Sequence, residues 1–325
     1  TGAEEMQRVN SDKDYEAPAG VTLYDAEGAP VCSRSSGCQI GGRGNSTWLK
    51  DKKPYNLKLD QAESLLGMGP AKKWSLLANA FDETNLRNKV ILDFARDIQS
   101  YEGFAPDCTF VDLNVNGDYQ GLYLMCQSTK DTASALLDPS GEDGYEIELR
   151  MPSKLDQDAD AIPLNPAMSA EIKVPSHPTG EQSSQLNGLV AAVSKWISSE
   201  EPSPSGFLPD IASWARKMLI EIVFENYDCP NASQFFWGSL RDRSIFAGPC
   251  WDYDLSMGIY YINWSTPHAI MAFKDWNKGA DISWYHGTWQ KPAIRDRVLA
   301  LYCTGMNTMR ICWNLWRRAS PQKPR

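Results

Sequence analysis

The 325 residues carry a formal net charge of -9 and a pI near 5.0, which excludes a global basic field for nucleic acid or anionic lipid while leaving room for a local phosphate pocket. A composition 42% hydrophobic and 22% charged is globular, and no run approaches the ~18 apolar residues of a membrane span. The length admits one extended domain or two lobes, and a two-lobed unit is the expectation.

Residues 1–40 are polar and turn-rich, with Val21-Thr22-Leu23-Tyr24 as the one clear strand, and read as an extension decorating the first lobe. From Cys38 to Leu59 the pattern is a hairpin, in which Gly41-Gly42-Arg43-Gly44-Asn45 forms a glycine-rich turn and Tyr55, Leu57 and Leu59 share an apolar face. Asn56 and Lys58 take the opposite face, toward whatever cleft the turn covers. A helix follows, with Asp82 or Thr84 as cap and Leu86, Val90, Ile91, Phe94 and Ile98 at helical spacing. Val111-Leu113-Val115 and Leu122-Tyr123-Leu124-Met125 flank the Asn116-Gly117 turn of a second hairpin.

Tyr145–Leu149 reads as a strand with Glu146 and Glu148 on its far face, where they line a cleft or meet solvent. Residues 151–166 read as a loop, and 171–174 as a short strand. Leu186, Leu189, Val190, Val193 and Ile197 form one face of a helix that ends before Pro202-Ser203-Pro204-Ser205-Gly206. A longer helix spans about 209–226. These elements divide the chain into the extension 1–40, a strand-rich first lobe 41–182 and a mainly helical second lobe 183–325.

The chemistry concentrates between Asn226 and Gly258. The aromatic strand Gln234-Phe235-Phe236-Trp237 and the strand Ser244-Ile245-Phe246-Ala247 pair as a hairpin, so residues just before the first and just after the second return to one end. Asp228, Asn231 and Asp252 then converge. Asp and Asn oxygens are hard ligands for magnesium, and an unligated carboxylate accepts the proton of an attacking hydroxyl. An isolated Asp-x-Asp is more often a turn, yet Asp228 at a helix end, where the dipole disfavours an acid, is poorly explained as a stabilising charge.

Four motifs follow one another along the chain: Arg43-Gly44-Asn45-Ser46-Thr47-Trp48 with Lys53-Pro54-Tyr55-Asn56-Leu57-Lys58, Trp74-Ser75-Leu76-Leu77-Ala78-Asn79 with Asp82 and Leu86-Arg87-Asn88, the hairpin of 116–123, and Trp251-Asp252-Tyr253-Asp254 with Gly258. In this order they resemble the motifs of the spore coat protein H (CotH) kinase family. The resemblance runs from about Gly41 to Gly258. It implies an α+β, atypical protein-kinase-like fold of two lobes with ATP and Mg2+ or Mn2+ between them, acting on Ser/Thr hydroxyls of a protein substrate. Asp228 resembles the catalytic aspartate, Asn231 and Asp252 the metal ligands, and Asp254 an additional ligand. Lys58 is the preferred phosphate-contacting lysine and Lys53 its competitor; Arg43, Gly44, Asn45 and Arg87 complete the nucleotide-binding set. The Gly-x-Gly-x-x-Gly loop and the His-Arg-Asp triplet of ordinary kinases are absent. A catalytically silent surface-binding protein of this fold, or an AMP transferase, are the alternatives.

Eight cysteines form an even set: Cys32 with Cys38, and Cys229 with Cys250, are candidate disulfides, and Cys108, Cys126, Cys303 and Cys312 read as buried thiols. The three histidines, His177, His268 and His286, lie far apart and offer no zinc or triad spacing. A chain opening at Thr1 without methionine points to a removed signal peptide and to an extracellular or cell- or spore-surface location. The acidic balance argues against a nucleic-acid partner, and no residue pattern fixes an oligomeric state.

Overall fold

A computed structural model describes residues 1–98, 104–129, 143–201, 204–226, 232–259 and 284–304. A six-stranded antiparallel sheet comes first, from β1 (Glu16–Tyr24), β2 (Pro30–Gly42), β3 (Tyr55–Glu63), β4 (Ala71–Leu77), β5 (Cys108–Val115) and β6 (Asp118–Gln127), in the order β1-β2-β3-β4-β6-β5. Its first core lies where the alternation placed it: Tyr55, Leu57 and Leu59 are buried with Ile40, Trp74 and Tyr123. Asn116 and Gly117, both at positive φ, make the β5–β6 turn. The first forty residues do more than decorate. Helix α1 (Ala3–Ser11), β1 and most of β2 build one side of the sheet, and Met6, Val9 and Ala17 belong to its core.

Helix α2 (Arg87–Asp97) begins after Leu86, and Asp82 accepts from the backbone N–H of Arg87. Its inward face overlaps the expected stripe in part, with Ile91 buried and Phe94 and Ile98 half-buried against the same cluster. Asn88, Ile91, Leu92 and Ala95 face inward, while Leu86 and Val90 are exposed. Asn88 is the polar member of this inward face, and there its side chain accepts from a buried backbone N–H.

The second sheet has the order β10-β12-β11-β7-β9-β8, from β7 (Gly144–Arg150), β8 (Ala161–Asn165), β9 (Met168–Val174), β10 (Leu208–Pro209), β11 (Gln234–Ser239) and β12 (Ser244–Ala247). β8 arises inside the stretch expected to be loop. β11 pairs along its whole length with β7, so the expected boundary near residue 182 falls within one sheet. Helix α3 (Gly180–Ser198), opened by a Thr179–Gln182 capping box, and α4 (Ile211–Val223), capped by Asp210, cover this sheet. Trp196, Trp214, Phe236 and Trp284, the last on α5 (Trp284–Thr288), fill the core between.

A third cluster joins the sheets. Leu77 and Leu124 from the first pack with Ile91 of α2, Ile220 of α4, Phe235 of β11, and Trp251 and Tyr253 beyond β12. The segment bearing Asp252 and Asp254 is therefore embedded in the seam.

Cys32 and Cys38 are free thiols on the same strand, β2. Across the β1–β2 ladder they face Leu23 and Ala19, four residues and so roughly 13 Å apart, beyond the ~7 Å limit for a disulfide, so that expectation is corrected. Cys250 is a free buried thiol, and its expected partner Cys229 lies outside the described residues. Cys303 is exposed rather than buried. No helix among the described residues is long and apolar enough to cross a membrane.

Candidate active site

A cavity of 460 Å³ opens between the two sheets, within the size of ordinary small-ligand sites. The glycine-rich turn forms one side, from Gly42 through Arg43, Gly44 and Asn45 to Thr47; Trp251, Asp252 and Asp254 form the opposite side. Gly44 adopts φ +84° and packs so closely on the Thr47 hydroxyl that a Cβ would collide with it, which explains glycine at this point.

The hairpin argument holds where it can be followed. Ser233, just before β11, donates from Oγ to Asp252 Oδ2 at 3.0 Å, so both ends of the β11–β12 ribbon meet. Asp252 sits at φ +68°, a left-handed conformation that aspartate tolerates but that costs about 1–3 kcal/mol unless surroundings enforce it. Asp228 and Asn231 lie outside the described residues.

Two devices enforce the 252–254 backbone. The N–H of Tyr253 donates to Asn88 Oδ1 at 2.7 Å, and Asn88 Nδ2 donates to Asn79 Oδ1 at 3.0 Å. At its other end Tyr253 donates its hydroxyl to Glu221 Oε1 at 2.8 Å and accepts from Lys217 Nζ at 3.0 Å. Lys217, Glu221 and Tyr253 are all at most 1% exposed. Burial drives the Tyr253 hydroxyl well above its ordinary value, so it remains a protonated donor. The residue between the two aspartates is pinned at both ends.

Arg43 is half-buried in the turn, with its guanidinium 5.5 Å from the centre of the Trp251 ring. Burial lowers its pKa, and the negative charge of Asp252 and Asp254 pulls it back up. The cation of the glycine turn and the two carboxylates thus act on one space.

Other expected residues lie differently. Lys58 is exposed on the cavity-side face of β3, its Nζ 3.5 Å from Glu16 Oε2; it is not among the residues lining the cavity, whereas Glu16 is. Lys53 donates to the Trp48 carbonyl at 2.7 Å and stands over the Trp48 ring, bracing the loop after the turn. Arg87 pairs with Asp82 and donates to the Ser256 carbonyl at 3.0 Å, so it anchors the 254–257 segment from outside the cavity. Lys73 of β4, directly opposite Lys58 in the ladder, does line the cavity.

Sequence reasoning also missed a charged wall. Arg150 of β7 and Lys173 of β9 both line the cavity, each ion-paired with Glu148, Glu171 and Asp156. Burial raises the Glu148 carboxyl, with Arg150 and Lys173 opposing. Burial would likewise lower Lys173, but Glu148, Glu171 and Asp156 outweigh it and hold the ammonium above its usual value. The alternation of 145–149 already set Glu148 apart from the core face; the pairing of β7 with β9 that gave it cations is long-range.

No group of three or more His, Cys, Asp or Glu side chains poised for a metal occurs among the described residues. Two carboxylates facing one cavity nevertheless fit magnesium, which is usually held by one or two carboxylates together with substrate phosphates and water. Comparison with protein families matches residues 40–309 to the family described as CotH kinase protein. No curated protein matches the chain.

Proposed function

The chain belongs to the CotH kinase family, and from that premise we propose that it is a protein kinase that uses ATP and Mg2+ or Mn2+ to phosphorylate Ser/Thr hydroxyls of exported or surface proteins. In this reading the first sheet and the helix-covered second sheet are the two lobes, and ATP lies between them. The observation that carries it is the cavity in which Asp252 and Asp254 face the Arg43 turn.

Asp252 and Asp254, with Asn231, are the oxygen donors for the divalent ion. When bound, that ion supplies charge neutralisation to the β- and γ-phosphates. Arg43 donates to the phosphates, and the Gly42–Asn45 backbone lines the same cavity, its glycines fixed by the Trp48 ring and the Thr47 hydroxyl packed against them. Asp228 accepts the proton of the attacking hydroxyl and orients it in line with the leaving oxygen. The preferred lysine moves from Lys58 to Lys73, which lines the same cavity.

Labelled ATP with Mn2+ and a generic protein acceptor tests this. Transfer of the γ-phosphate that disappears in Asp252→Ala is expected. Intact-mass analysis separates an added phosphoryl group from an added AMP; AMP addition, or transfer undiminished in Asp252→Ala, contradicts the proposal.

A further inference from the structure

Cys108 and Cys126 are directly opposite one another in the β5–β6 ladder. Both are free thiols, 5% and 0% exposed, and near enough that Cys108 helps hold the Cys126 thiol above its ordinary pKa, after burial. Directly opposed residues of an antiparallel pair stand with Cα atoms ~4.5–5.5 Å apart, inside the ~4.4–6.8 Å that a disulfide spans. Their Cβ atoms, ~4.5–5.5 Å apart, need close only by about 1 Å to reach bonding geometry. No other pair of described cysteines shares a ladder position: Cys32 faces Leu23, and Cys38 faces Ala19 and Leu59.

We propose that Cys108 and Cys126 are a covalent modification site, a dithiol that closes into a cross-strand disulfide under a small-molecule disulfide oxidant such as oxidised glutathione. Cys126 sits opposite Ser75 of β4, and both Ser75 and Ser128, just past the end of β6, line the cavity. Arg43 is close enough that its charge acts on Cys126. The bond therefore fastens the sheet's edge strand to the cavity floor.

The order of attack follows from exposure. β5 has a neighbour on one side only, so local opening of this edge uncovers Cys108 before Cys126. The Cys108 thiolate attacks oxidised glutathione and releases one glutathione. The Cys126 thiolate then displaces the second from the mixed disulfide. Two thiol protons leave, and the electron pair reduces the oxidant to two glutathione thiols. While the strand is closed, burial holds the Cys126 thiol well above its ordinary value and keeps it protonated, which makes the reaction slow without preventing it.

The test uses the full chain, first reduced and then incubated with oxidised glutathione, with remaining thiols alkylated and peptides mapped without reduction. Expected is a peptide linking residues 108 and 126, lighter by two hydrogens than its separate parts, dissolved by dithiothreitol. The oxidised chain should also unfold at a higher temperature than the reduced one. Complete alkylation of both cysteines after oxidant treatment, or linkage of either one to a different cysteine, overturns the proposal. Cys126→Ser should leave Cys108 alkylatable or glutathionylated but never bridged within that hairpin; Cys108→Ser provides the mirror control should the first variant not fold. None of these readouts depends on kinase activity.

Discussion

Lys217 and Glu221, one turn apart on α4, form an ion pair at 1% exposure each, with Tyr253 completing the triad. Substituting Lys217→Met strands the Glu221 carboxylate in the interior, and breaking a buried pair in this way costs about 3–5 kcal/mol. Glu221→Gln strands the ammonium at a similar cost, although Tyr253 still finds an acceptor in the amide oxygen. In the double variant no buried charge remains and the tyrosine hydroxyl keeps a partner, so the loss should fall to about 1–2 kcal/mol. The two single effects therefore sum to several kcal/mol more than the double. Urea unfolding of the four proteins, followed by tryptophan fluorescence, measures this, since Trp214 packs on the same helix. Additive losses would refute the claim that these residues act as one buried unit behind the aspartates.

Asn88→Ala should leave the Tyr253 N–H buried without an acceptor and cost about 1–3 kcal/mol, measured in the same way, while Asn88→Asp keeps that acceptor but buries a charge against Asn79 Oδ1 and should lose at least as much. Asp82 and Asp156 both titrate below the usual carboxylate range. Burial alone would raise each, but Thr84 and Arg87 outweigh it at Asp82, and Lys173 and Arg150 do so at Asp156. Because the unfolded chain binds these protons more tightly, their stabilisation is present above pH ~4 and is lost as pH falls through the depressed values. The unfolding temperature should drop on acidification from about pH 5 to about pH 2, and Asp82→Asn should flatten that slope; an unchanged slope contradicts the assignment. On the proposed reaction, Lys73→Ala should raise the KM for ATP more than Lys58→Ala, and the reverse order would return the phosphate contact to Lys58.

Period-two alternation carried most of the strands: Tyr55, Leu57 and Leu59 needed only their own spacing to be read as core. The β11–β12 ribbon was equally legible, and the Ser233–Asp252 bond is its consequence. Side-chain destinations were harder. Lys58 was placed on the correct face, but whether a long cation reaches into a cleft depends on Glu16, forty-two positions earlier in the chain. Asn88 sat inside a quoted motif without a role because its partner, the backbone of Tyr253, is 165 residues away. The Arg150–Lys173 wall exists only through the pairing of β7 with β9, which no local pattern encodes. Helix α2 misled for a related reason. Leu86 and Val90 completed an apolar stripe on paper, while the core selected the face bearing Asn88.

A crystal structure with Mn2+ and a non-hydrolysable ATP analogue bears most directly on the account. The ion should be coordinated by Asp252 and by phosphate oxygens, with Arg43 on the same phosphates and the glycine turn above them. Nucleotide bound elsewhere, or manganese without contact to Asp252 or Asp254, would contradict the assignment of this cavity as the site of phosphoryl transfer.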